Sequence, residues 1–455
     1  MASALVAIEA RPAAAPARAL PPPVRLAPAP ALPAPGTAGD PLAIYLRGQQ
    51  VANARSALLL QPFQEGEFGR GAAAPSTAHL AEVNQLLAGL RKLVDRNGRR
   101  LAEAVAAAAR SPGRERIDEA LRLKQEGCTL ISATERIRQV YWEILGQRQT
   151  RIAPQLLAAD RIALDCYQYV YGGLGKARSI PSPAPLSYMD SGFGPATFRR
   201  GVTMRKLLSL PNPFPLVKLP YSRLVTPWTL GAIPHEIGHN LQSDLGLWLV
   251  VPRLIDRRLA AAGVDPAVRR IWVRWTKETF ADLIGVLLIG PAFAESTMDV
   301  VGKGAKATGA FNPRGVHPTP YLRVRISTHL LRMMGFERDA RRIDDTWARL
   351  YPPLVGEAIP PLFMRNFDRT VPIVVDAIAR TAYPQLGGKT LMQVVSFRPQ
   401  DQEVATEAAA RLATGRDPGI VPERFLINAV RIAFDRRMAP PAVITRHFYE
   451  ALGRR

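Results

Sequence analysis

The feature that most constrains this chain is a pair of histidines four residues apart with a glutamate between them, His235-Glu236-Ile237-Gly238-His239. Both imidazoles can meet one metal ion only if this stretch is helical, because at about 3.6 residues per turn positions i and i+4 lie one above the other. Neutral imidazoles in that arrangement grip Zn²⁺. Glu236 then lies about 100° around the helix, where it can act on a water rather than on the metal. The pattern thus supplies two ligands and a general base. Ile233, Ile237, Leu241 and Leu245 form an apolar stripe on a different face, as an amphipathic helix requires. Pro234 is tolerated only in a first turn, so the helix is predicted to begin close to Gly231–Pro234.

A zinc site needs a third protein ligand. Asp265-Pro266 reads as an N-cap followed by proline at the first helical position, and Gly290-Pro291 as a stop, so a helix is predicted to run from there to Ile289,. One of its faces carries Ile271, Trp275, Glu278, Asp282, Gly285 and Ile289. Two carboxylates one turn apart on an apolar face need a cation. Zinc on Glu278 meets that need. Asp282 can then accept the second ring N–H of a ligand histidine, His235 before the other, and fix its tautomer. The competing reading pairs Glu278 and Asp282 with arginines.

Other metal geometries fit less well. The metzincin ligand position after His239 is Leu245, with Gln242 where a glycine belongs, and a di-iron bundle needs a second E-x-x-H,. Cys128 and Cys166 show no ligand spacing.

Together these motifs resemble the gluzincin metallopeptidases. Glu278-Thr279-Phe280-Ala281-Asp282 is similar to the E-x-x-A-D of the family that contains the CAAX prenyl endopeptidases and the bacterial heat-shock membrane proteases. That family also carries a His-Pro segment leading into an Arg-containing helix, and His317-Pro318-Thr319-Pro320-Tyr321-Leu322-Arg323-Val324-Arg325-Ile326 is similar to it. The resemblance spans about Thr226–Ile326. It implies His235, His239 and Glu278 as zinc ligands and Glu236 as base. It also implies Asp282 as the partner of a ligand histidine and His317 as a residue near the open metal position. Members of that family usually have transmembrane helices. The best apolar runs here, Leu245–Val251 and Leu283–Phe293, fall short of the about 20 residues that span a bilayer,.

With 455 residues and 47% hydrophobic content, the chain can bury a large core and divide into two or three modules,. Its net charge of +22, from nine Lys and 51 Arg against 38 acidic residues, attracts acidic surfaces. The arginines are spread along the chain, and no basic run is interleaved with aromatics, so specific nucleic-acid binding is not expected and weak peripheral contact with acidic surfaces is. Two cysteines make no disulfide framework, and the apolar stretch Ala4–Ile8, followed by Glu9, is too short for a signal peptide,. The expected location is cytoplasmic.

The expected organisation begins with a disordered Ala/Pro-rich tail, residues 1–40. A helical N-terminal module, 41–178, follows. It comprises a helix from Ser76/Thr77 broken at Asn97-Gly98, a second over Arg114–Gln149 and a third over Pro154–Tyr171, stacked antiparallel. The metallopeptidase core is 179–353. In it Pro215-Leu216-Val217-Lys218-Leu219-Pro220 reads either as an irregular loop or as a short edge strand able to take an extended peptide. A C-terminal module, 354–455, holds helices over Pro361–Thr381, Asp401–Thr414, Pro422–Arg437 and Pro441–Gly453. The expected fold is mainly α, a zincin-like helical core with a small edge sheet, flanked by helical modules. The expected function is zinc-dependent hydrolysis of a peptide or protein substrate, with oxyanion donors ranked His317, Tyr321 and Arg323. The alternative is a non-catalytic helical scaffold with a structural zinc and a basic surface.

Overall fold

Short polar side chains and prolines decide where the helices begin. Asp40 accepts from the Leu42 amide, Ser76 from His79 and Asp265 from Ala267, each satisfying a donor that the first turn leaves open. The computed structural model describes residues 40–175, 179–192, 194–204, 209–351 and 358–455. The expected tail therefore lies outside the described residues except for Asp40, as do the expected boundaries at 178 and 353.

In chain order the helices are α1 (Pro41–Leu58), α2 (Thr77–Arg110), α3 (Arg114–Gly146) and α4 (Ala153–Leu174). Five short strands follow: β1 (Leu186–Met189), β2 (Ala196–Phe198), β3 (Thr203–Met204), β4 (Leu210–Pro211) and β5 (Leu216–Leu219). Then come α5 (Tyr221–Leu224), α6 (Ala232–Asp244), α7 (Val250–Ala261), α8 (Pro266–Ile289), α9 (Pro291–Val301) and α10 (Ala305–Thr308). The last are α11 (Pro320–Met333), α12 (Glu337–Leu350), α13 (Pro361–Ala379), α14 (Leu391–Val394), α15 (Pro399–Ala413), α16 (Phe425–Asp435) and α17 (Pro441–Gly453). The fold is mainly α. No described helix is long and apolar enough to cross a membrane.

The chain divides into two compact units. The first holds the described residues to Thr150 together with Arg200–Phe214. Its helices α1, α2 and α3 pack through Leu46, Leu101, Val105, Ala108 and Leu123. Helix α2 runs unbroken through Asn97-Gly98, against expectation. Asn97 is buried there, and Gly127 of α3 leaves the space that the Asn53 and Asn97 amides occupy; a Cβ would collide with both. Asn97 therefore serves interhelical packing instead of a turn.

The second unit comprises Arg151–Arg199 and Pro215–Arg455. It takes in α4, which the sequence reading grouped with α2 and α3, and all the helices after residue 358, which that reading set apart. Helix α4 packs against α6 and α17, and Asp160 on it accepts from the Ser187 amide of β1. Helix α13 lies against α7 and α8, with Trp272 Nε1 donating to Thr370 Oγ1 at 2.9 Å. Asn428 of α16 donates to the Ile289 carbonyl at the end of α8, where Gly290 turns the chain at a φ of 56°.

The small sheet of this unit has the order β1-β5-β2, with β1 parallel and β2 antiparallel to β5. Residues 216–219 are thus a strand, but a central one and not the edge. Leu216, Val217 and Leu219 are fully buried. Pro215 and Pro220 stand just outside the ladder, where a missing N–H costs nothing. β1 and β2 are the sheet's two edge strands.

Candidate metal centre

Helices α6 and α8 carry the candidate site and pack closely on each other. Their approach depends on Gly238: a Cβ there would stand 2.9 Å from the Ala281 Cα and 3.1 Å from its carbonyl oxygen. Those contacts are with backbone, so any side chain at 238 pushes the two helices apart. Ile233, Ile237, Leu241 and Leu245 are buried on the core side of α6. That packing turns His235, Glu236 and His239 toward α8.

His235, His239 and Glu278 each offer one ligand atom, and these atoms all lie within 4.8 Å of one another. His235 Nε2 is 3.4 Å from Glu278 Oε2, and His239 Nε2 is 3.4 Å from Glu278 Oε1. Atoms bound at about 2.0–2.1 Å to one tetrahedral zinc lie about 3.3–3.4 Å apart, which matches these two separations, although they run to different carboxylate oxygens. Glu278 Oε2 is buried and lacks a hydrogen-bond partner, as a carboxylate oxygen kept for a cation would be.

Behind these three groups, Asp282 Oδ1 stands 2.8 Å from His235 Nδ1, a close contact that lacks the alignment of a hydrogen bond. Asp282 is itself held by Arg323, which donates from Nε to Oδ2 at 2.8 Å and from Nη2 to Oδ1 at 2.6 Å. The forked guanidinium on a carboxylate buried to 1% exposure is a rigid, charge-assisted pair. Arg323 is thereby engaged on Asp282 and not on an oxyanion, and for Asp282 the competing expectation of an arginine partner holds. Tyr321 is not among the residues that line the cleft; its carbonyl accepts from Trp347 Nε1.

The cleft has a volume of about 400 Å³, and His235, Glu236, His239, Glu278, His317 and Arg323 line it together with Gly194–Thr197, which run into the edge strand β2. Asn240, next to His239, donates to Thr197 Oγ1 at 2.8 Å and ties that strand to α6. Phe293, Ser296, Thr297, Val300 and Val301 of α9 form a further wall. Sequence spacing missed this wall, because nothing local in α9 points to the metal ligands. Glu295 and Asp299, the next carboxylates along the chain, are paired with Arg342 and Arg431. His317 is 64% exposed, and its Nε2 lies 3.3 Å from Glu278 Oε2. It sits at the rim of the cleft, next to the Glu278 carboxylate.

Burial pushes the Glu236 carboxyl above its usual range, against the pull of His235 and His239. That shift suits a base working near neutral pH. Burial disfavours the charge on His235, but Asp282 and Glu278 outweigh it and raise the group to about 10. Burial likewise favours neutral Glu278, yet His235 and His239 hold it below the usual carboxylate range.

The metal-free protein should accordingly lose stability as pH rises. The contribution of protonated His235 is complete below its unfolded value of about 6.5 and is lost as pH passes through about 10,. Zinc takes the neutral imidazole, so its affinity should climb over the same window. Urea unfolding with a chelator present, at both ends of the window, measures this; a fall of equal size in His235→Gln would assign it elsewhere.

Comparison of the chain with protein-family models, with curated proteins and with solved structures finds no match to any of them.

Proposed function

We propose that this chain is a zinc-dependent peptidase of the gluzincin type. The observation that carries the proposal is the convergence of His235, His239 and Glu278 within 4.8 Å, with Glu236 buried beside them on a shared cleft. A structural zinc has no need of a buried carboxylate next to its ligands or of a cleft leading to them. When bound, zinc lowers the pKa of a water to about 7 and polarises the amide carbonyl under attack. The other tasks fall to the chain. Glu236 takes the proton of the attacking water and passes it to the leaving nitrogen. Asp282, fixed by Arg323, keeps His235 in one tautomer. The edge strand β2 beside the cleft pairs with an extended peptide through main-chain hydrogen bonds, while the α9 wall receives a side chain.

The test is a comparison of new termini generated from a denatured protein mixture by the zinc-loaded protein and by its Glu236→Gln variant. Termini made only by the parent support the proposal. Identical profiles, with zinc bound in both, favour the scaffold reading.

His317 is proposed as the donor to the tetrahedral oxyanion. His317→Ala should then keep zinc and KM and lower kcat, as for an interaction made mainly in the transition state. Raised activity would instead mark a group that covers the metal, and unchanged constants would mark a rim residue without a role.

A further inference from the structure

The cleft carries a second charged feature that the hydrolytic chemistry leaves unused. Arg199 follows β2, and its guanidinium lies 3.5 Å from the centroid of the Trp248 ring. Lys277 Nζ reaches the same ring at 4.0 Å. Arg199 and Trp248 both line the cleft. Each cation is attracted by the ring, yet the two repel each other. Burial disfavours the charge on both, and Arg199 disfavours that of Lys277 further. Asp244 offsets this for Arg199. Among the described residues, no carboxylate lies within the 4.0 Å of an ion pair from Lys277. Lys277, on the same indole as Arg199, has its charge disfavoured with no such carboxylate to offset it, and an anion against this wall would gain from it.

Its place along α6 sets where that anion belongs. Arg199 Nη1 donates to Ser243 Oγ at 3.0 Å, and Ser243 lies one turn beyond His239 on α6. One turn is about 5.4 Å along the helix axis, so Arg199 borders the same stretch of α6 that carries His239. Arg199 also stands directly after β2, at the end of the edge on which a peptide would lie.

We propose that Arg199 and Lys277, stacked on Trp248, form an anion subsite of the cleft that takes a carboxylate of the bound peptide. The carboxylate comes either from an Asp or Glu side chain or from the free end of the chain. The inference rests on the peptidase reading and narrows its substrate class to peptides that bring a negative charge into the cleft.

Binding tests it without relying on turnover. Zinc-loaded protein carrying Glu236→Gln is titrated with three fluorescent peptides of one neutral sequence: one amidated, one with a free C-terminal acid and one amidated with an internal Glu. At least one acidic probe should bind about tenfold or more tightly than the neutral one, as a charge-assisted hydrogen bond provides. The free acid alone would identify the chain end, and the Glu probe alone the side chain. Arg199→Gln with Lys277→Gln should abolish the preference and leave the affinity of the neutral probe as it was, which also reports that the cleft is folded. Equal binding of all three probes overturns the proposal. So does a preference that survives both substitutions, since it would then come from the zinc or from other charges. Failure of the parent protein to cleave any peptide would sink the peptidase reading separately, because binding to the inactive variant is read independently.

Discussion

Glu236→Gln should keep its zinc and lose peptide hydrolysis by about 10²–10⁴-fold, the contribution of a positioned general base. The substitution preserves shape and removes only basicity. Glu236 is not among the residues whose atoms form the metal-binding group, so the metal content should not move. Its carboxyl is buried with His235 and His239 nearby, and the neutral amide fits that environment without a new uncompensated charge. The helix pair should therefore stay folded. The measurement is kcat/KM on a peptide cleaved by the parent, together with zinc per chain. A variant that cleaves as fast as its parent would remove the proposed mechanism.

Glu278→Ala should have the larger effect on the metal. Losing the carboxylate behind a ligand costs about 10–100-fold in metal affinity, which is the expectation for Asp282→Asn. Losing a ligand must cost more. Glu278 is also the group toward which both Nε2 atoms face, each at 3.4 Å. Without it, two imidazoles remain with no anion to balance the ion. The stabilisation that zinc gives, about 4 kcal/mol when free zinc exceeds Kd a thousandfold, should disappear from thermal unfolding. Full zinc occupancy in Glu278→Ala would strike it from the ligand set. Glu295 and Asp299, the next carboxylates along the chain, are paired with arginines.

Much of this site is legible in the chain because its parts are local. The spacing of His235 and His239 requires a helix, and α6 spans Ala232–Asp244. The cap at Asp265 and the stop at Gly290 bound α8 at Pro266–Ile289. The apolar face with Glu278 and Asp282 is buried as its periodicity demands. Each of these follows from hydrogen bonding and side-chain repeat within a few turns.

What the chain alone could not decide is pairing across distance. Whether 216–219 is an edge or a centre depends on the partners it finds, and β1 and β2 flank it. Whether Arg323 meets an oxyanion or a carboxylate depends on where α11 packs, and it packs so that the guanidinium clasps Asp282. The same holds for Arg199 and Lys277, 78 positions apart in the numbering, which only the folded chain brings to one indole. Capping and periodicity are set by neighbours in sequence. Ion pairs and sheet order are set by competition among many partners, and tertiary packing alone selects among them.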